Sequence, residues 1–312
     1  MKKWVQKAIV QKTISYLPFS DKLNFFFQKH ITRGVNLTNE FFTDRIGHAA
    51  EHLKAYKKLT GKEVPESCLE IGTGWYPIVP VSFFLAGSDA VFSVDIAFHT
   101  TKERIRATLE KMVEAGHSGR LEACFRYSPE RFEIIENLLR DYDRLSLSDV
   151  LRKMNFTCLV EDARSLSLPD NSIDLINSNN TFEHIYPDIL IPILREFKRV
   201  ARQEGGAMSH FIDMSDHFAH FDKSISIYNF LKFSDRQWKW IDNSVQPQNR
   251  MRIYEYRNIY SDLSIPCTLE SFREGNREQL SLIRLSDRFK NNSPEETAIS
   301  HCHFISATSF FR

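Results

Sequence analysis

Residues 67–95 read SCLEIGTGWYPIVPVSFFLAGSDAVFSVD, and this stretch decides the fold. Cys68-Leu69-Glu70-Ile71 is a short, largely apolar run, long enough for a buried parallel strand. Gly72-Thr73-Gly74 follows at once. Two glycines one residue apart let the backbone turn sharply and admit a ligand closely, since no Cβ intervenes. Pro77 suits the first turn of a helix. Val81, Phe83, Phe84 and Leu85 continue that helix, and Gly87 stops it. Ala90 to Val94 predicts a second strand ending on Asp95. Strand, glycine turn, helix, strand and acid make one mononucleotide-binding half of a doubly wound sheet, with its ligand above the strand ends.

Two ligand classes fit such a unit. A dinucleotide fingerprint carries a third glycine where this chain has Pro77. Glu70, two residues before Gly72, would repel a pyrophosphate and suit a cationic ligand. The E-I-G-T-G stretch followed by Asp95 resembles motif I and the following acid of the class I S-adenosylmethionine-dependent methyltransferases. Further features resemble that family in the same order. They are Asp162-Ala163, the P-D-N-S-I-D-L-I run from Pro169, Glu183-His184, and the Arg199-Val200 helix end before Gly205-Gly206. The resemblance covers Phe41 to Ile212.

The resemblance implies an α/β fold: a Rossmann-like doubly wound sheet, mostly parallel with an antiparallel last strand, plus helical cover. It implies S-adenosyl-L-methionine as cofactor. Gly72, Thr73 and Gly74 would line its methionine end, supported by Glu70. Asp95, beside Ile96, would accept from both ribose hydroxyls. Asp162 would accept from the adenine amino group, with the Ala163 N–H on a ring nitrogen. Asn177 and Ser178 would face the methionine moiety.

The 312 residues suit one large domain with additions, and 42% hydrophobic content supports a sizeable core. The expected division is an N-terminal helical cap over 1–60 and a methyltransferase domain over 61–312. That domain would carry a helical insertion at about 115–155 and a substrate-cap segment at about 213–260. A formal charge of +1 does not point to a polyanion, so no nucleic-acid partner is expected. The five cysteines are scattered and form no C-x-x-C pair, which fits a reducing compartment, the cytoplasm.

The first forty residues mix lysines with Trp4, Val5, Ile9, Val10, Ile14 and Leu17, then Leu23, Phe25, Phe26 and Phe27. A helical cap on the catalytic domain and a peripheral membrane contact are both open. Residues 120–154 exceed a simple crossover and read as a lid or as packing decoration. Ser224 to Tyr260, rich in aromatics and bases, reads as substrate cap or core.

Methyl transfer from a sulfonium has a good neutral leaving group, so alignment supplies much of the acceleration. A hydroxyl acceptor still wants a base, and histidine suits that work. His184 is one candidate. His217 with Asp213, in the cluster that also holds His220 and Asp222, is another. That cluster has three open readings: acceptor binding and deprotonation, caps and surface polars, or a divalent metal site. The family's metal-binding members carry E-x-x-E-H, and here the first acid is Asn180. Losing a carboxylate weakens such a site, so no metal ligand is assigned. The expected activity is methyl transfer to an oxygen or nitrogen of a small or medium polar acceptor, a sugar or saccharide intermediate among them. A nicotinamide-dependent oxidoreductase and a non-catalytic nucleotide-binding module are the rivals. Oligomeric state is not legible.

Overall fold

The computed structural model describes residues 2–18 and 36–310. Leu23, Phe25, Phe26 and Phe27 lie outside the described residues. Helix α1 (Lys3–Ile14) and helix α2 (Asn39–Thr60) precede the sheet. The Thr38 hydroxyl caps α2 by accepting from Phe41 N, and Gly61 ends it in the left-handed conformation.

The organising unit has the expected form: β1 (Ser67–Ile71), α3 (Ile78–Ala86) and β2 (Ala90–Asp95). Strand β1 and nearly all of α3 are buried, as their apolar sequences require. Then come α4 (Lys102–His117), α5 (Arg120–Cys124), α6 (Pro129–Arg140), α7 (Leu147–Lys153) and β3 (Phe156–Val160). Strand β4 (Leu175–Asn179), α8 (Pro187–Val200) and β5 (Ala207–Asp213) follow. Helix α8 buries one stripe of Leu190, Ile193, Leu194, Phe197 and Val200, the spacing that the sequence carries. Helices α9 (His217–Phe221), α10 (Asp235–Ile241) and α11 (Ile253–Asp262) lead to β6 (Leu269–Arg273) and β7 (His301–Ala307).

The seven strands run in the order β3-β2-β1-β4-β5-β7-β6. All neighbours are parallel except those of β7, which is antiparallel to β5 and β6. The strand order reverses between β1 and β4, the topological switch point where doubly wound sheets bind ligands.

Strand β4 departs from expectation. The apolar run from Ile173 predicts a strand ending at Asn177, but pairing ends two residues later, at Asn179. Ile173 makes only an isolated bridge with Ala201. Glu70 pairs with Asn177 and Ile71 with Ser178, so both predicted site residues lie within the sheet. The sequence predicts the last strand over 301–310, but it ends at Ala307, since Thr308–Phe310 form a 3₁₀ turn.

The inserted helices pack rather than cover. Phe132, Ile135, Leu138, Tyr142, Val150 and Met154 are buried in one core with residues of α2 and α3. No residue between 115 and 155 borders the main cavity. Proteolysis within 120–154 is therefore expected to proceed at equal rates with and without cofactor product, and protection by that ligand would restore the lid reading. The aromatic stretch after β5 is likewise largely core: Tyr228, Phe230 and Trp238 are buried with Trp4 and Phe218.

Candidate active site

A cavity of about 1090 Å³ opens above the switch point. That is above the ~300–1,000 Å³ usual for one ligand, so there is room for a cofactor and an acceptor together. Glu70, Gly72, Thr73, Gly74, Asp95, Ile96, Asp162, Ala163, His184, Asp213 and His217 all border it. Asn177 and Ser178 do not. Asn177 Nδ2 donates to Leu69 O at 3.1 Å, and the Ser178 hydroxyl pairs with His210 Nδ1 at 2.9 Å, both fully buried. The place expected for them is taken by Asn179, Asn180 and Thr181.

The first half of the cavity is built on β1 and β2. Gly72 and Gly74 have φ of +72° and +68°, a conformation that side chains disfavour. At Gly72 a Cβ would also meet Thr181 Cγ2 at 2.5 Å. Glu70 is buried. Its Oε1 accepts from Asn179 Nδ2 at 2.8 Å, while Oε2 finds no partner among the described residues. Burial pushes this carboxyl up, opposed by Thr73, Asn179 and the charge of Arg45. Burial also pushes the Asp95 carboxyl up, against the pull of His99 and the backbone N–H groups of Ile96, Ala97 and Gly74. Ile96 is 86% exposed on the cavity rim. Asp162 is engaged by Arg164, whose Nε lies 2.9 Å and Nη2 2.6 Å from its oxygens. That pairing holds the carboxyl down at about 2.

Behind Glu70 runs a buried polar chain that the sequence reading missed. Asn179 Oδ1 lies 3.0 Å from His48 Nδ1 and 3.2 Å from His52 Nε2. His52 Nδ1 meets the Ser209 hydroxyl at 2.7 Å, and that hydroxyl meets His303 Nε2 at 2.8 Å. The Asn179 amide oxygen is thus turned to the histidines and its N–H₂ to Glu70.

The second half is built where β4 and β5 end. Asn249 pins the 3₁₀ turn Phe182–His184. Its N–H donates to Glu183 O at 2.9 Å, and its side chain donates to Phe182 O and Ile185 O at 2.8 and 2.7 Å. His184 Nδ1 lies 2.6 Å from Pro247 O. A carbonyl only accepts, so Nδ1 carries the proton and Nε2 keeps its lone pair. Burial, with the nearby His217, drives this imidazole down to about 4. His217 Nε2 lies 3.5 Å from Asp213 Oδ2, and His220 and His301 lie 3.9 and 3.4 Å from the same carboxylate. Burial pushes Asp213 up, but His217, His301 and Ser215 outweigh it and hold the carboxyl well below its usual range. Glu183 is buried with neither carboxylate oxygen bonded among the described residues. Burial and the charge of Asp213 push it well up. Ligand atoms of Glu183, His184 and His217 lie within 4.8 Å of one another.

Acid lability follows from the buried histidines. Burial holds His184 at about 4, and His210 and His303 at about 3. An unfolded histidine titrates near ~6.5, so below that pH the unfolded chain binds more protons and stability falls. Each histidine withdraws at most about 1.4 kcal/mol per pH unit until its folded value is reached. The melting temperature should drop steeply from pH 7 to 5. A flat profile would mean that these imidazoles titrate normally.

Residues 132–208 match the family model described as a methyltransferase domain. No curated protein matches the chain. Among solved structures, the chain is similar to the PH0226 protein of Pyrococcus horikoshii OT3, at 15% identity and a TM-score of 0.47 over 90% of this chain and 97% of that one. It is similar to a Haloferax volcanii structure described as a complex of the Trm112 methyltransferase activator and a methyltransferase, at 15% identity and a TM-score of 0.43 over 86% and 92%. The geranyl diphosphate C-methyltransferase of Streptomyces coelicolor A3(2) is similar at 10% identity and a TM-score of 0.41 over 83% and 78%.

The glycine turn, the acid closing β2 and the antiparallel β7 make a Rossmann-like sheet of the class I methyltransferase type, and residues 132–208 match a methyltransferase domain. The matched domain marks the chain as a methyltransferase. No helix among the described residues is long and apolar enough to cross a membrane.

Proposed function

We propose that the enzyme methylates a hydroxyl or amine of a small or medium polar acceptor, with a sugar or saccharide intermediate the expected kind. One observation carries this reading. A histidine–carboxylate pair, His217 with Asp213, borders the same cavity as Glu70 and Asp95 but belongs to the opposite half of the sheet.

The residues of the first half fit the cofactor. The free oxygen of Glu70 is a buried acceptor suited to the cationic methionine end. Gly72 and Gly74 leave a path without Cβ atoms. Asp95 is placed to accept from the ribose hydroxyls, and Ile96 to cover the adenine edge. Asp162 and Ala163 border the adenine end, although Arg164 competes for the Asp162 carboxylate. When bound, the cofactor supplies an electrophilic methyl group on a cationic sulfur. The protein must then exclude water, align the acceptor lone pair and hold the departing proton. His217 takes that proton, with Asp213 orienting its ring and stabilising the imidazolium. His184 is neutral and fixed by Pro247, so its Nε2 is a second acceptor for the substrate hydroxyl. Calorimetry with S-adenosylhomocysteine and with NAD tests the donor. Binding of NAD alone would replace this reading with the oxidoreductase one.

A second reading rests on the convergence of Glu183, His184 and His217. Two imidazoles and one carboxylate suit a divalent transition metal, and the Nδ1–H of His184 on Pro247 is the kind of outer contact that fixes a ligating ring. A cation would also favour the ionised form of the buried Glu183, against its burial. The two readings part on chelation. A histidine base predicts full activity after chelator treatment. A bound cation predicts loss of activity, recovery with Zn²⁺ or Mn²⁺, and calorimetric binding of that ion that His217→Ala abolishes.

A further inference from the structure

Helix α1 is fixed to the acceptor side of the cleft. The Trp4 N–H donates to Asp222 Oδ2 at 3.0 Å, and the indole lies 5.9 Å from both Phe218 and Phe233. Gln11 Nε2 donates to Gln246 Oε1 at 2.8 Å. Lys12 Nζ donates to Lys239 O at 3.0 Å and Asp242 O at 2.7 Å. These contacts hold Lys7, one turn earlier, on the buried face.

Lys7 is only 8% exposed, and it borders the cavity together with His217 and His220. Lysine is almost never this buried unless paired. Its ammonium lies 5.9 and 5.6 Å from the ring centroids of Phe218 and Phe221. Among the described residues it has neither a carboxylate within 4.0 Å nor a hydrogen-bond acceptor. The carboxylate acting on it, Asp216, is already engaged by Phe218 N at 2.8 Å and Asn229 Nδ2 at 3.1 Å. Lys12 borders the same cavity but is satisfied by two carbonyls. Burial lowers the Lys7 amine to about 8, partly offset by Asp216, so an ammonium here gains from an incoming anion.

We propose that Lys7 anchors an anionic group of the acceptor, a carboxylate or a phosphate, while His217 addresses the hydroxyl or amine to be methylated. The acceptor is then an acidic polar molecule, a sugar acid or a phosphorylated sugar by chemistry. This inference rests on the reading of the cleft as a methyltransferase acceptor site. Position supports it: Phe218 and Phe221, over which the ammonium sits, lie on the same short helix as His217. Anion and reacting group would thus be registered by one element. The arrangement also gives α1 a role in selectivity, since a neutral acceptor would leave the ammonium without a partner.

The test uses the full chain saturated with S-adenosylhomocysteine, with inorganic phosphate and glucuronate as separate probes. Two readouts are taken: calorimetric affinity for each probe, and acetylation of Lys7 followed by mass spectrometry. One of the two anions should bind at least about tenfold more tightly to the wild type than to Lys7→Met. It should also slow acetylation of Lys7, leaving Lys54, which is 75% exposed, unchanged. Lys7→Arg should keep most of the affinity. Which probe protects tells phosphate from carboxylate. Should Lys7→Met fail to fold, protection in the wild type decides alone. If neither anion protects Lys7, or Lys7→Met binds the anion equally well, the proposal is overturned and the ammonium is held by the phenylalanine faces alone. Absence of S-adenosylhomocysteine binding in the wild type would overturn the methyltransferase reading instead.

Discussion

Replacing His217 with alanine is expected to lower turnover by about 100-fold or more, the usual worth of a positioned base. Affinity for S-adenosylhomocysteine should stay within about twofold, because the change removes an acceptor contact and leaves the β1 and β2 ends intact. The ring is held 3.5 Å from a buried carboxylate, so its loss also strands Asp213 beside His220 and His301. A merely structural histidine would affect both halves of the cleft. A base affects turnover alone. If turnover is unchanged in both His217→Ala and His220→Ala and chelator is harmless, the cluster is structural and the acceptor site lies elsewhere.

The second large effect belongs to Asp95. If Asp95 holds the ribose as proposed, Asp95→Ala removes two charge-assisted hydrogen bonds, each worth roughly 1.5–3 kcal/mol. S-adenosylhomocysteine should bind at least about tenfold more weakly. The fold should survive, since the carboxylate sits at the end of β2 and its protein contacts are His99 and three backbone N–H groups. Equal affinity in a folded variant would falsify the ribose assignment.

The first half of the candidate site could be read in the sequence because it is local. Glu70, Gly72, Gly74 and Asp95 fall within one strand–turn–helix–strand unit, and the chemistry of each follows from its place in that unit. The second half depends on contacts that no short window contains. The apolar run from Ile173 announces β4, but an apolar run does not state its register. Asp174 sits inside that run because its Oδ2 accepts from Ser67 N and the Ser67 hydroxyl, both at 2.9 Å. Pairing therefore starts at Leu175, and the site passes from Asn177 and Ser178 to Asn179. The convergence of Glu183, His184 and His217 needs Asn249 and Pro247 to hold the turn, from more than sixty residues away. A Gln-Pro-Gln-Asn sequence amid aromatics marks a turn, and nothing in it names the partners. Lys7 was read as one basic residue of a mixed segment, because its burial is decided by α9, more than 200 residues later.

That separation bears on how the chain is made. Trp4 and Asp222 are 218 residues apart, and Lys12 and Asp242 are 230 apart. On the ribosome, α1 emerges more than 200 residues before the helices that bury it. Strands β1 to β5 are all synthesised by Asp213, before the helices that bury α1. Loop closure over so many residues is entropically slow, and the face carrying Trp4, Lys7 and Ala8 must wait for it. Helix α1 thus docks only after about two thirds of the chain has been made, so the wall that carries Lys7 is completed after the strands that form the rest of the cleft.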